Sequence, residues 1–184
     1  LLNYTRRIQR PRSYYLEPFI TFSDQYSTRS GNPELNPEYI DAIELNWINS
    51  FENGFVSVET YLRHVNNYID RIQIPTDTNN IHNMPFNVGQ TNSVGIEPSL
   101  SYKLFDWWKL DVAVNIFYFE IISERTEINS SSNTTWNSRV TNTFPIRNSW
   151  NIQLASRYVG RTVTSQGEQE GYFSMNGSVR KSFS

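Results

Sequence analysis

The sequence of 184 residues has no cysteine, only three lysines and no long hydrophobic run. Without cysteine, a disulfide framework and a thiolate metal site are both excluded. No segment approaches the roughly 18 to 20 consecutive apolar residues that a membrane-spanning helix needs, and the mean hydropathy is −0.56. These absences do not exclude a membrane-spanning β-barrel, because only alternate residues of its strands need to be apolar.

The sequence also lacks the motifs of common chemistries. It has no G-x-S-x-G, no H-E-x-x-H and no glycine-rich phosphate loop. His64 and His82 are the only histidines, and no further metal ligands are grouped near either of them. The net charge of −2 gives no reason to expect nucleic acid as a partner. We therefore predict no enzyme, no cofactor, no metal site and no nucleic-acid partner.

What the sequence does contain is a period of two. In the stretch VGIEPSLSYKL, residues 94–104, the positions alternate between an apolar set that includes Val94, Ile96 and Leu100 and a second set that includes Glu97 and Ser99. This alternation predicts a β-strand with one apolar face and one polar face. An apolar face of this kind contacts either a protein core or lipid.

Strand length and connector length favour lipid. The predicted strands run to about 10 to 14 residues, against a mode near 5 or 6 in globular sheets and about 9 to 11 for a tilted transmembrane strand. Long connectors at 9–38, 66–91, 123–133 and 165–170 alternate with short turns at 51–54, 104–109 and 145–149. This asymmetry is typical of outer-membrane barrels, with long outer loops and short inner turns. We predict an all-β fold, an antiparallel up-and-down meander of about eight long strands that forms part of a larger transmembrane β-barrel.

Aromatic residues supply the third indication, because six of them fall at the ends with short turns. A bilayer interface collects aromatic side chains as a girdle, whereas a sandwich has no reason to sort them to one end. Pro98 removes one ladder donor, so we expect a local bulge there. The six aromatic residues are Phe51, Phe105, Trp107, Trp108, Phe144 and Trp150.

Three segments carry a resemblance to a known family. They are YTRRIQRPRSYYLEPF (residues 4–19), GNPELNPEY (residues 31–39) and GYFSMNGSVRKSF (residues 171–183). In these segments the sequence resembles the barrel of TonB-dependent outer-membrane receptors, in the variant named the outer membrane protein β-barrel family. The pairing of RRIQRP with GNPxLxPE about twenty residues later carries most of the specificity.

The resemblance implies a location, a function and partners. Residues 1–184 would be one partial barrel domain in the bacterial outer membrane, truncated at both ends and without the plug. The full receptor would import a scarce nutrient, such as a siderophore, a cofactor or a glycan. Its partners would be outer-membrane lipid, the TonB complex through the missing plug and N-terminal region, and a small-molecule or glycan ligand at the extracellular loops. The alternative from the residues alone is a soluble β-sandwich carbohydrate-binding module that uses loop tyrosines.

The long connector between the first two strands contains the candidate ligand contacts. Its aromatic residues and prolines predict an ordered cap, with Gly31 supplying a positive φ before Asn32. The cluster Arg6, Arg7, Arg10 and Arg12 suits an anionic ligand, although the simpler interpretation is that these arginines pair with Glu17, Glu34 or Glu38. On the strands, we expect Glu59 and Glu97 to pair with Arg63, Arg139 and Arg157. The candidate ligand contacts are Arg10, Arg12, Tyr14, Tyr15, Phe19 and Tyr26.

Overall fold

The computed structural model describes residues 1–77, 79–125, 128–146 and 150–182. The elements are β1 (Leu2–Gln9), α1 (Ser13–Leu16), β2 (Thr21–Phe22), β3 (Ser27–Arg29), β4 (Glu38–Phe51), β5 (Gly54–Asp77), β6 (Asn80–Phe105), β7 (Trp108–Ser123), β8 (Ser131–Ile146), β9 (Trp150–Val159), β10 (Thr162–Thr164), β11 (Gly167–Gln169) and β12 (Tyr172–Lys181). The eight long strands form one open antiparallel sheet, a partial barrel, in the order β1-β4-β5-β6-β7-β8-β9-β12, while β10 and β11 form a separate two-stranded sheet. The predicted meander of eight long strands is confirmed, and because these strands lie in one sheet, the two-layered sandwich alternative is not favoured.

The register places the two alternating sets of residues on opposite faces of the sheet. Ile43 lies opposite Leu62, and Leu62 lies opposite Val94. We call this face the outer face, and its large apolar side chains are exposed, with Leu62 at 57% and Val94 at 45%. The other face, called the inner face, carries Glu59 opposite Glu97 and a run of Ser, Asn and Arg. No helix of the described residues is long and apolar enough to cross a membrane.

The short turns lie at one end of the sheet, as predicted. Turns at 52–53 and 106–107 join β4 to β5 and β6 to β7, while the expected turn at 145–149 lies mostly outside the described residues. Phe105, Trp107, Trp108 and Phe144 stack on one another at this end, with ring centroids 5.4 to 6.4 Å apart. The aromatic residues therefore gather at the short-turn end, as a membrane-interface girdle requires.

The prediction of a loop at 66–91 was wrong, because most of this segment continues β5 and β6 as a paired hairpin. Pairs run from Ile69↔Asn87 to Asp77↔Asn80. The ladder changes register on either side of the pair Tyr68↔Gly89, next to Asn67, which has a φ of 57°, while Gly89 has a φ of 141°. A bulge of this kind bends a strand pair and re-aims its side chains. The bulge separates the sheet wall from the hairpin that projects beyond it, residues 67–89, which we call the outer hairpin.

The outer hairpin has a small core of its own. Ile72, Val88 and Ile128 are buried together, with Tyr68 and Phe86 packed against them. The β10–β11 hairpin docks on the same element, because Ser165 Oγ donates to Asp70 and Gln166 exchanges hydrogen bonds with the backbone of Gln73. The long connector lies against it as well, with β3 pairing parallel to β6. These segments form one packed layer beyond the long-loop end of the sheet.

Pro98 does not cause the bulge that its position predicted. Val58↔Pro98 pairs in the β5–β6 ladder, and the β6–β7 register is the same on either side of it, at Ile96↔Ile116 and Ser99↔Ala113. The only effect is a gap of two residues in the ladder to β7. A missing donor thus interrupts the hydrogen bonding without shifting the strand.

Candidate functional site

The two halves of the RRIQRP and GNPxLxPE pattern meet across β1 and β4. Gln9 and Glu38 are partners in the ladder, and Gln9 Nε2 donates to Glu38 Oε2 over 2.8 Å. The other oxygen of Glu38 accepts from the backbone N–H of Ile69 at the start of the outer hairpin, also over 2.8 Å. Burial raises the pKa of the Glu38 carboxyl above its usual range, and the side chain is only 5% exposed. These two hydrogen bonds of Glu38 therefore attach the connector and the outer hairpin to the end of the sheet.

Asparagines complete the attachment of the connector. Asn32 is buried, and its Nδ2 donates to the carbonyl oxygen of Pro85. Asn87 Nδ2 donates to the carbonyl oxygens of Asn36 and Asn67, and its Oδ1 accepts from the N–H of Asn36. Satisfying backbone groups of two segments at once is a role that an amide side chain fills well. The GNPELNPE segment is thus held against the outer hairpin by hydrogen bonds of asparagine side chains.

Gly31 is required for space rather than for a positive φ. The positive-φ glycines of the described residues are Gly89 and Gly167, so the expectation for Gly31 was wrong. A Cβ at position 31 would lie 2.6 Å from the carbonyl oxygen of Tyr15 and 2.7 Å from the backbone N and O of Glu17. The N–H of Gly31 bonds to Glu17 O and the N–H of Asn32 bonds to Tyr15 O. This close approach brings the two ends of the connector together.

A cleft of about 280 Å³ lies between this returning connector and the outer hairpin. The rings of Tyr14 and Tyr15 meet edge to face at 4.5 Å, and the guanidinium of Arg71 lies 5.9 and 5.2 Å from their centroids. Arg71 comes from β5, so both segments contribute to the cleft. We call it the outer cleft; its lining is Tyr14, Tyr15, Glu17, Phe19, Thr21, Arg29, Ser30, Gly31, Arg71, Asn83 and Pro85.

The hydroxyl groups of Tyr14 and Tyr15 in the outer cleft have pKa values that are shifted in opposite directions. The hydrogen bond between them lowers the pKa of Tyr14, with Arg12 and Arg71 lowering it further, and raises the pKa of Tyr15, to which burial also contributes. Tyr68, packed against the core of the outer hairpin, has its pKa raised to about 12 by burial. Tyrosine hydroxyls and guanidinium groups together provide hydrogen-bond donors and flat surfaces for stacking.

The structure brings together part of the predicted set of contacts. Tyr14, Tyr15 and Phe19 line the outer cleft. Arg12 does not line it, but its charge lowers the pKa of Tyr14. Arg10 and Tyr26 do not line it. Tyr26 instead takes part in the attachment of the connector, because its carbonyl oxygen accepts from the N–H of Ile81.

One arginine of the cluster, Arg6, has a different partner from those expected. Arg6 Nε lies 3.7 Å from Asp41 Oδ1 across the β1–β4 ladder, on the outer face. Glu38, one of the three expected partners, is held by Gln9 and Ile69 as described above. Register explains the difference, because Asp41 is the residue directly opposite Arg6.

Arg71 is the contact that sequence reasoning missed, because it lies in the segment taken for a loop. A signal was present: Ile72 and Ile74 alternate with Arg71 and Gln73. The prolines and asparagines that follow hid this alternation. Arg71 faces the connector while Ile72 enters the core of the outer hairpin, as the period of two requires.

The inner face of the sheet contains a second cleft, of about 520 Å³, which we call the inner cleft. The expected ion pairs of Glu59 and Glu97 with Arg63, Arg139 and Arg157 do not form within 4 Å in the described part of the chain. Glu59 instead accepts from Asn46 Nδ2. The inner cleft therefore presents charged groups to the space beside the sheet.

The sequence matches the model of the outer membrane protein β-barrel family over residues 1–184. The chain belongs to this family. The family named from the motifs is thereby confirmed, and so is the bacterial outer membrane as the location of the chain. The outer face of the sheet is consequently the lipid-facing surface and the inner face lines the lumen of the barrel.

Solved structures with the same fold include three receptors or transporters. The siderophore receptor PirA of Pseudomonas aeruginosa is 16% identical with a TM-score of 0.67, and the alignment covers 100% of this chain and 33% of that one. The ferric enterobactin receptor PfeA of the same organism is 16% identical with a TM-score of 0.62 over 100% and 30% of the two chains. The copper transporter OprC is 16% identical with a TM-score of 0.64 over 96% and 29%. The chain thus spans about a third of the length of these structures.

Family membership also bears on the predicted chemistry. The family is one of outer-membrane β-barrels, and the solved structures of the same fold are named as receptors and as a transporter, which agrees with the prediction of no enzyme. Among curated proteins no sequence matches the chain significantly.

Proposed function

We propose that this chain forms part of the barrel wall of a TonB-dependent receptor that imports a scarce nutrient, such as a siderophore, a cofactor or a glycan. The chain would be one partial domain, residues 1–184, of a larger barrel closed by further strands beside β1 and β12. In the full receptor, energy from the TonB complex would reach the ligand through a plug. Support comes from the fold that the chain shares with receptors named for a siderophore and for ferric enterobactin.

The observation that carries the proposal is the outer cleft. It lies in an ordered layer beyond the long-loop end of the sheet, and it combines two tyrosines, a phenylalanine and arginines in one concave site. Binding sites usually combine apolar walls with a few placed polar groups. Arg71 is positioned by stacking on both tyrosines, so it presents a fixed positive charge to a ligand. Capture at this site would be the first step of import.

The test is uptake by cells that produce the full-length receptor. Radiolabelled ferric enterobactin, cobalamin and maltoheptaose represent the three ligand classes, each measured with and without a protonophore. We expect receptor-dependent uptake of one probe that stops when the proton gradient is removed. Uptake of no probe, or uptake that continues without the gradient, would contradict the proposal.

A variant of Arg71 tests whether uptake depends on the outer cleft. Arg71→Ala removes the guanidinium that contacts both tyrosines, and we expect at least a tenfold loss of uptake at limiting ligand concentration. Arg161→Ala is the matched control, because Arg161 pairs with Glu168 outside the cleft. Equal uptake by the two variants would mean that the outer cleft has no part in capture.

A further inference from the structure

A row of polar residues crosses the outer face of the sheet near its long-loop end. Each member lies directly opposite the next on the neighbouring strand, from β1 to β8. Two residues nearer to the short turns, the corresponding positions are apolar and include Ile43, Leu62 and Val94. We call the polar set the outer row; its members are Arg6, Asp41, His64, Asn92, Glu120 and Ser132.

The outer row lies one membrane thickness from the aromatic residues at the short-turn end. Asp41 is ten residues from Phe51 on β4, and Asn92 is ten residues from Tyr102 on β6. The rings of Phe51 and Tyr102 lie 5.8 Å apart. Ten residues extend about 34 Å along a strand and about 26 Å across the membrane at a tilt of about 40°, which matches the apolar band of about 25 Å in outer-membrane barrels. The outer row is therefore at the level of the lipid headgroups.

Three members of the outer row form a hydrogen-bonded chain across β5, β6 and β7. Asn92 Nδ2 donates to Glu120 Oε2 over 3.2 Å, because an ionised carboxylate only accepts. Asn92 Oδ1 is then directed at His64, and His64 Nδ1 donates to it over 2.7 Å. This direction makes Nε2 the acceptor nitrogen of the neutral imidazole. The chain thus has acceptors at both ends, Nε2 of His64 and the carboxylate of Glu120.

An apolar groove begins directly below this chain. It consists of two adjoining clefts of about 400 and 450 Å³. The first reaches His64 and Asn92, and the second continues to Ile96 and Ile116, towards the middle of the bilayer. The groove lies on the outer face of inner strands of the sheet, so further strands beside β1 and β12 would leave it on the lipid side. The residues that line both clefts are Ile43, Leu62, Val94 and Tyr118.

The position of the groove indicates the chemistry of its occupant. Because the outer face contacts lipid, an acyl chain suits the apolar groove. The long loops of outer-membrane barrels are extracellular, so the headgroups beside the outer row belong to the outer leaflet. A phosphodiester group only accepts hydrogen bonds, whereas sugar hydroxyls also donate them and so match the acceptors of His64 and Glu120. The three strands of the chain span about 10 Å, a length that suits several hydroxyls better than one ammonium group.

We propose that this part of the outer face binds one glycolipid molecule of the outer leaflet. An acyl chain of the glycolipid lies in the groove, and its sugar hydroxyls donate to His64 and Glu120. Asn92 holds these two acceptors in place through its hydrogen bonds to both. The inference goes beyond the import function, because it concerns the lipid side of the wall and is independent of the nutrient.

Native mass spectrometry of the purified full-length receptor, released from detergent micelles, tests this proposal. The probes are lipid A as the glycolipid, phosphatidylglycerol, and phosphatidylethanolamine, which carries an ammonium group. We expect one lipid A to bind at least ten times more tightly than either phospholipid. Equal affinity for the three lipids would mean that the surface holds ordinary bilayer lipid, and a preference for phosphatidylethanolamine would mean that an ammonium group is recognised. Either result would overturn the inference.

A double variant tests the headgroup contacts. Asn92→Ala with Glu120→Ala removes the chain of acceptors and should weaken lipid A binding at least tenfold. The matched control is Asn46→Ala with Glu59→Ala, which removes the same kind of hydrogen bond, of 3.1 Å, from the inner face. This control should bind lipid A like the wild type. Equal affinities of the two double variants would reject the outer row as the headgroup site.

A second variant tests the groove without changing the outer row. Val94→Trp fills the groove where its two clefts adjoin, and it should also weaken lipid A binding at least tenfold. Val112→Trp is the matched control, because Val112 lies on the same face but outside both clefts. Heat-modifiable mobility on gels shows whether each variant is folded. Wild-type affinity of folded Val94→Trp would reject the groove as the acyl-chain site.

The same spectra distinguish the glycolipid from a second copy of the receptor. If another copy covers the groove, the wild type will appear as a dimer that Val94→Trp separates, and lipid A will not bind. That result would overturn the inference. A monomer that binds lipid A and loses it in both groove and outer-row variants would support it.

Discussion

At the scale of single residues, Glu38 shows how a family motif acts through buried hydrogen bonds. Its two oxygens accept from Gln9 and from the N–H of Ile69, which lie on different strands. The sequence pattern indicated that RRIQRP and GNPxLxPE belong together, but it could not show that Gln9 and Glu38 are ladder partners. Register depends on how the connector returns to the sheet, and the close backbone approach at Gly31 decides that return.

A pH-dependence of stability follows from Glu38. Burial raises the pKa of this carboxyl in the folded state, so between its usual range and the raised value the folded protein binds more protons than the unfolded one. Its contribution to the free energy of unfolding is therefore most favourable below the usual range and decreases as the pH rises through the folded-state pKa. Glu38→Gln should remove this decrease, as measured by urea unfolding of the full-length receptor in micelles from pH 4 to pH 8.

Glu38→Ala provides the matched comparison, because it removes both acceptors as well as the charge. The N–H of Ile69 then lacks its acceptor, and the cost should be about 1 to 3 kcal/mol at every pH. If Glu38→Gln keeps the wild-type slope of stability against pH, another group is responsible for that slope.

At the scale of elements, the period of two predicted the wall of the barrel correctly and failed beyond it. Strands β4 and β7 to β9 are regular, so alternation and short turns identified them. The outer hairpin was missed because Asn67 and Gly89 introduce a bulge with positive φ values and because the prolines and asparagines beyond it are typical of a loop. A Cβ on Gly89 would lie 2.2 Å from the carbonyl oxygen of Ile122, a tertiary contact that no local pattern reveals.

The lipid-facing stripe leads to a prediction on two strands. Val114 and Leu154 lie near the middle of β7 and β9 on the outer face, whereas Asn115 and Gln153 lie on the inner face. Arginine at position 114 or 154 should cost about 2 to 4 kcal/mol, because a lipid-facing charge at the bilayer midplane is strongly destabilising. Asn115→Arg and Gln153→Arg face the lumen and should change stability little. Folding of the full-length protein into lipid vesicles measures all four, and similar costs on both faces would contradict the assignment of the faces.

At the scale of the whole molecule, the chain consists of a regular wall and an irregular outer layer. The wall is built from local alternation, which is why its fold class could be read from the sequence. The outer layer depends on contacts between distant segments, such as Ser165 with Asp70 and Asn32 with Pro85. Candidate ligand contacts lie in this layer, so Tyr14, Tyr15 and Phe19 could be suspected from composition, while Arg71 could be assigned only once the outer hairpin was seen.

The connector offers the most direct test of the outer layer. Its two ends lie close together, since the N–H of Asn32 bonds to Tyr15 O over 2.6 Å and the N–H of Gly31 bonds to Glu17 O over 2.7 Å. The deletion of residues 13–30 joins Arg12 to Gly31, and the N–H of Tyr15 bonds to Arg12 O, so the new junction lies next to this close approach. Asn36 and Glu38 keep their attachments to the outer hairpin. The deletion removes α1, β2 and β3, together with the three aromatic residues that line the outer cleft, Tyr14, Tyr15 and Phe19.

We expect the full-length receptor without residues 13–30 to insert into the outer membrane at the wild-type level, because none of its wall strands is changed. Uptake should be abolished, since a loop this long exceeds what closure requires and such loops usually have a function. Heat-modifiable mobility on gels measures insertion, and uptake of the labelled probe measures function in the same cells. A deletion variant that inserts normally and imports at the wild-type rate would show that capture depends on other parts of the receptor, among which the outer hairpin, with Arg71 and His82, would be the next to test.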